Sequence, residues 1–160
     1  MHWLEAASHW SNVAVEVLVT LCAMAMAGVL GVQVFFRYGL NDSLFWSEEL
    51  GRLLLVWLTF FGASVAYKRG VHAGVDALSR RLPDPARRGV AIFALLASLG
   101  FFAVIVVHGA GFGVVISGQN TTSLGVSRLF PFAAVPVSGA VMFLHALVFL
   151  LRELRGVKTV

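Results

Sequence analysis

The chain has 160 residues, of which 59% are apolar and only 12% charged, with a formal net charge of +4. So small a charged fraction excludes an ordinary soluble domain, in which about a quarter of the residues are charged. The cations sit beside apolar runs rather than in a stripe, which argues against nucleic acid as a partner, and the single cysteine, Cys22, excludes a disulfide framework or a CxxC metal or redox motif.

Lipid is the solvent that suits this balance, and residues 1–160 read as one all-α integral membrane domain. The N-terminus, Met1-His2-Trp3-Leu4-Glu5, has no Lys or Arg. The apolar run behind it is too long for a signal-peptide core, so it is expected to stay attached. No lipidation box is visible, and Cys22, inside the apolar run, reads as a small buried hydrophobe.

The first predicted span covers about 13–37. Its twenty residues from Val17 to Phe36 carry no formal charge, and at about 1.5 Å each they match a hydrocarbon core of roughly 30 Å. Arg37-Tyr38-Gly39 closes it with a cation at the negative helix end, an interfacial aromatic and a glycine stop. After Leu40 to Ser43 the second span runs over about 44–68, interrupted early by Glu48, Glu49 and Arg52. The uninterrupted stretch Leu53 to Tyr67 is too short to cross alone, so the acidic first turns are placed in the headgroup layer, where a helix N-terminus favours anions. Lys68-Arg69-Gly70 ends this span.

Val71, Val75, Leu78 and Leu82 then repeat at helical spacing while Asp76, Arg80 and Arg81 face elsewhere, which predicts a short amphipathic interfacial helix over 71–82. Pro83-Asp84-Pro85 breaks it and starts the third span, about 85–117, with Asp84 as N-cap and Gly118 as stop. That span exceeds the bilayer and should tilt or protrude. A polar Gln119-Asn120-Thr121-Thr122-Ser123 loop leads to the fourth span, about 129–152, in which Pro131 suits the first turn and Pro136 predicts a kink.

The segment between spans two and three carries Lys68, Arg69, Arg80, Arg81, Arg87 and Arg88, and the C-terminal tail carries Arg152, Arg155 and Lys158. The other two loops hold only Arg37, Arg52 and Arg128. Nine cations against three place both termini, and the interfacial helix, on the cytoplasmic side.

Chemistry inside the spans looks sparse. Thr20, Gln33, Thr59, Ser64, Ser98 and Ser138 are the deep polar residues, and bonding to a neighbouring backbone is their ordinary use. Glu16 invites comparison with small four-helix exporters that use one intramembrane carboxylate, yet it stands at the cytoplasmic edge, within reach of water. His108 and His145 suggest a haem pair; their depths differ by about 10 Å at helical rise, which favours packed or hydrogen-bonded histidines. No catalytic residue, metal site or cofactor site is expected.

The densest polar group is Trp46-Ser47-Glu48-Glu49-Leu50-Gly51-Arg52, where one guanidinium can meet both carboxylates at helical spacing. Its plainest reading is an interfacial anchor framed by Trp46 and Trp57. Ala23, Ala27 and Gly31, Gly62 and Ala66, and Gly109 with Gly113 imply close helix approach, within this chain or to a foreign helix.

Arg37-Tyr38, Trp46-Ser47-Glu48-Glu49-Leu50-Gly51-Arg52, Trp57, Phe60-Phe61-Gly62 and Gly70-Val71-His72 together resemble the small membrane subunit of tripartite ATP-independent periplasmic (TRAP) transporters, the DctQ-type permease. Length, four spans and cytoplasmic termini resemble that family over nearly the whole chain. Thr122-Ser123-Leu124 and Pro136-Val137-Ser138-Gly139 extend the match into the second half. The resemblance implies a non-enzymatic subunit of the bacterial inner membrane that braces a large multi-spanning TRAP permease. That partner carries a carboxylate-type solute, delivered by a periplasmic solute-binding protein, on a cation gradient. Arg37, Trp46, Glu48, Glu49, Arg52, Trp57, Gly62, Gly70 and His72 become candidate structural or subunit-contact residues, in a tilted slab of helices rather than a pore. The competing readings are a stand-alone four-helix transporter and a haem-binding membrane anchor.

Overall fold

The structure, a computed structural model, describes residues 2–70 and 84–155. Its helices are α1 (His2–Gly39), α2 (Phe45–Gly70), α3 (Asp84–Ile116), the short α4 (Leu129–Phe132) and α5 (Ala134–Leu154). Four stretches are long and apolar enough to cross a membrane: α1, α2, α3, and α4 with α5 taken together. The all-α, four-span fold expected from the sequence is thus observed. The interfacial helix predicted over 71–82, with His72 in it, lies outside the described residues.

Helix α1 begins far ahead of the first predicted span. Its 38 residues extend about 57 Å, nearly twice the hydrocarbon thickness. The extra turns are held by the rest of the protein, since Ser8, Asn12 and Val15 are buried at helical spacing. Gly39 does not act as the stop, because it remains in the helix. Asn41 instead takes the left-handed backbone (φ 56°), which asparagine tolerates better than most residues, and the N–H groups of Leu40 and Asp42 both donate to the Phe36 carbonyl.

The spans form a layer. Helix α1 packs on α2, α2 on α5 and α5 on α3, while α1 touches α5 more lightly. Helix α3 reaches α2 where the Tyr67 and Phe102 rings meet edge-on at 5.0 Å. Burial follows this order: 44% of the most apolar window of the α4–α5 span is buried, against 11% for α1, 22% for α2 and 11% for α3. Two apolar clusters hold the row together, one around Val15, Phe61 and Ala134 and the other around Phe102, Met142 and Ala146.

The tightest seam is between α3 and α5. A Cβ on Gly139 would stand 2.9 Å from Ile105 Cγ2, one on Gly113 3.1 Å from Leu129 Cδ1, and one on Gly109 3.4 Å from Pro136 Cβ. Glycine at these points lets two backbones approach more closely than any side chain permits. Pro136 explains the break between α4 and α5. It has no N–H to return to the Phe132 carbonyl, and regular helix is interrupted one turn earlier, at Ala133.

The loop joining α3 to α4 is ordered by its own hydrogen bonds. Asn120 and Ser127 form an antiparallel bridge, Thr121 N–H donates to Val126 O at 2.8 Å, and Arg128 N–H to Gln119 O at 2.8 Å. Gly125 takes φ +64° at the tip, a conformation that favours glycine.

Candidate functional site

Polar chemistry gathers at the two ends of the layer. At the end where α2 begins, Ser47 is fully buried and returns its hydroxyl to Leu44 O at 2.6 Å. That orientation of the first turn puts Glu49 opposite the α3–α4 loop. Its carboxylate accepts three successive backbone N–H groups, from Thr122 at 3.2 Å, Ser123 at 2.6 Å and Leu124 at 2.9 Å. Consecutive amides of this kind make an anion-binding concavity.

The expected fork of Arg52 onto Glu48 and Glu49 is not formed. Ion pairs join Glu16 to Arg69 and Glu5 to Arg152 instead. The physical reason is competition: three aligned donors on a tethered loop hold Glu49 better than one solvated guanidinium can. Glu48 and Arg52 are exposed, as are Arg37 and Trp46. The Arg37 guanidinium lies 5.9 Å from the centroid of the neighbouring Tyr38 ring. Trp57 turns inward instead, stacking on Phe130 at 5.2 Å and donating its indole N–H to the Phe130 carbonyl at 3.3 Å. Glu49 and Trp57 therefore both tie α2 to the segment around α4.

At the opposite end every described span contributes. Glu16 pairs with Arg69 at 2.8 Å and accepts a bond from Asn12 Nδ2 at 2.6 Å. Arg152 Nε donates to Glu5 at 3.1 Å. Lys68 Nζ donates to the Ser8 carbonyl, and the Ser8 hydroxyl bonds the Nδ1 of fully buried His145 at 2.8 Å. Arg88 covers the end of α5, donating to the carbonyls of Glu153 at 3.1 Å and Leu154 at 2.9 Å, where a helix C-terminus favours a cation.

Between the ends the hydroxyls serve the backbone. Thr20 donates to Glu16 O at 2.8 Å, Thr59 to Leu55 O at 2.8 Å, Ser64 to Phe61 O at 2.9 Å, Ser98 to Ala94 O at 2.9 Å and Ser138 to Val135 O at 3.1 Å. The two histidines are not brought together as a pair. His108 is exposed and bonds Val104 O of its own helix at 3.2 Å, whereas His145 is used on Ser8.

The small-residue signals divide cleanly. Gly109 and Gly113 meet the α4–α5 segment, but Gly31, Gly62 and Gly70 have nothing within 4 Å of where a Cβ would stand, and Ala23, Ala27 and Ala66 are exposed. Sequence reasoning missed the partner of Glu49 and the Ser8–His145 bond. The donors to Glu49 are main-chain N–H groups, which residue identity does not mark, and Ser8 and His145 are 137 positions apart.

Comparison with known proteins gives this layer its relatives. Residues 26–156 match the family model described as the DctQ component of tripartite ATP-independent periplasmic transporters. The sialic acid TRAP transporter small permease protein SiaQ of Vibrio cholerae is 32% identical over 134 residues, covering 83% of this chain and 78% of the relative. The C4-dicarboxylate TRAP transporter small permease protein DctQ of Rhodobacter capsulatus is 33% identical over 106 residues, which is 65% of this chain and 46% of that protein. The sialic acid TRAP transporter permease protein SiaT of Haemophilus influenzae is 29% identical over 125 residues, 74% of this chain but only 19% of that longer protein. With four apolar spans and a family match over most of its length, this multi-pass inner-membrane chain belongs to the DctQ component family of TRAP transporters, and is a transporter subunit rather than an enzyme.

Proposed function

We propose that the chain braces a large TRAP permease subunit during cation-gradient-driven uptake of a carboxylate-type solute delivered by a periplasmic binding protein. The observation that carries this reading is the contrast between the spans' fixed ends and their middle. Polar groups fasten the helices to one another at both ends, while the intervening hydroxyls are used on their own helices. A carrier of a charged solute needs unused polar groups near the midplane. Glu16, the carboxylate a proton-exchanging transporter could use, is engaged by Arg69 and Asn12.

The length ratio with the Haemophilus permease supports a larger partner, since the region similar to this chain is 19% of one longer polypeptide there. Relatives named for sialic acid and C4-dicarboxylates support a carboxylate-bearing solute. The contact face takes in Gly31 and Gly62, where open space invites a close helix. Arg37, Trp46, Glu48 and Arg52 flank it at one end, and Gly70 at the other. By the distribution of Lys and Arg, the end bearing Lys68, Arg69 and Arg152 is cytoplasmic and the Glu49 end is periplasmic.

Mild-detergent purification of the native complex tests the reading. A large permease should come with the chain, and uptake by the reconstituted pair should need both polypeptides. Transport by this chain alone would falsify it. Arg52→Ala should reduce the permease recovered several-fold; full recovery with normal uptake would leave Arg52 only a headgroup anchor.

A further inference from the structure

One carboxylate and one guanidinium stand side by side on the outside of the layer, at the edge of the uncharged stretches of α1 and α2. Val17 to Phe36 carries no formal charge and Glu16 directly precedes it; Leu53 to Tyr67 carries none and Lys68-Arg69 directly follows it. These charges mark the hydrocarbon edge on this side of the layer. Lys68 is turned to the Ser8 carbonyl. Glu16 and Arg69 face outward, with side chains 33% and 69% accessible.

Their hydrogen bonds leave a specific pair of groups open. Arg69 gives Nη2 to Glu16 Oε1, and the Asn12 amide donates to that same oxygen. Glu16 Oε2 and the remaining N–H groups of Arg69 have no partner among the described residues. An ionised carboxylate accepts at both oxygens and a guanidinium carries several donors, so one open acceptor lies beside one open cation.

Directly inside this pair runs an open groove of about 310 Å³, lined by Glu16, Val17, Thr20 and Leu21. The Thr20 hydroxyl is used on the Glu16 carbonyl, which leaves the groove apolar below its carboxylate end. Trp10, Val17 and Leu21 are exposed on one stripe of α1, and Trp10 stands about 9 Å outside Glu16, at the level of an interfacial aromatic. On the other side of this stretch Ser8 and Asn12 are buried in the layer. Aromatic and aliphatic side chains outward, with polar ones inward, make a surface suited to lipid rather than water.

We propose that this groove seats one phospholipid whose zwitterionic headgroup bears a primary ammonium, as in phosphatidylethanolamine. The ammonium donates to Glu16 Oε2, the phosphate accepts from Arg69, and an acyl chain lies over Val17 and Leu21. Charge complementarity selects this occupant. A head carrying both signs matches the adjacent carboxylate and guanidinium, and both contacts are charge-assisted. An anionic head offers Arg69 its phosphate but sets no cation against Glu16, and a choline head has a cation without an N–H to donate. Gly31, on the proposed permease contact face, is about 15 Å further along α1 than Leu21, so lipid and permease do not compete there. The site needs only that the chain lies in a bilayer and is independent of the bracing role.

The full chain, purified in mild detergent and stripped of lipid, can be titrated with phosphatidylethanolamine, phosphatidylcholine and phosphatidylglycerol of identical acyl chains, following the first adduct by native mass spectrometry. Phosphatidylethanolamine should bind about tenfold more tightly than either of the others, the worth of one charge-assisted hydrogen bond. Glu16→Gln should erase most of that preference, whereas Arg69→Gln should weaken all three lipids. Leu21→Trp fills the groove and leaves both charged groups in place, so it should weaken all three without changing their order. Equal affinities in the wild-type chain, or a preference for phosphatidylglycerol, would overturn the proposal. A preference for phosphatidylethanolamine that survives Glu16→Gln would overturn it too. If Arg69→Gln does not fold, the headgroup series on the wild-type chain and Leu21→Trp still decides the matter.

Discussion

Glu16 and Glu49 show how little a residue's identity says about its use until its partners are known. Both carboxylates stand near an end of a span, and each is committed to groups of its own chain, one to Arg69 and Asn12 and the other to three loop amides. Glu16 is the residue on which a proton-exchanging reading depends. Because its pair with Arg69 is well exposed, with side chains 33% and 69% accessible, it contributes little to stability. Glu16→Gln should leave the melting temperature of the purified complex nearly unchanged and retain most uptake in proteoliposomes; abolished uptake would return Glu16 to the list of transport carboxylates. The sequence made Glu16 visible as a terminal carboxylate because charges in apolar runs are few. It did not reveal that Glu49 would leave Arg52, since helical spacing counts only neighbours on one helix.

At the scale of the helices, apolar run length made four candidate spans legible, and Pro136 foretold the interruption that divides α4 from α5. The extension of α1 back to His2 was not legible. Residues 2–14 carry a charge, two histidines and two tryptophans, and tertiary contacts through Glu5 and Ser8, with the burial of Asn12, explain why they continue the helix. Glycines at helical spacing announced close approach without saying to what. The structure separates Gly139, wedged against Ile105 and Val106, from Gly62, which faces open space. Gly139→Leu should therefore cost about 1–3 kcal/mol through overpacking, seen as a lower melting temperature of the isolated chain. Gly62→Leu should leave the isolated chain unaffected but reduce the large permease recovered with it. Equal behaviour of the two variants would remove Gly62 from the contact face.

For the molecule as a whole, orientation is the property with the widest consequences. In a Cys22→Ala background, Ser123→Cys should react with an impermeant maleimide in sealed right-side-out vesicles, and Arg155→Cys only after permeabilisation. The reverse pattern would move the α3–α4 loop to the cytoplasm and overturn the proposed orientation. Arrangement of the spans in a row, α1 beside α2, α2 beside α5 and α5 beside α3, also bears on what can pass. The seam between α3 and α5 leaves no room for a side chain at Gly139, which is met by Ile105 and Val106, and the hydroxyls of Thr59, Ser64 and Ser98 are used on their own helices. On the proposed bracing role, a solute would pass beside this layer and not through it.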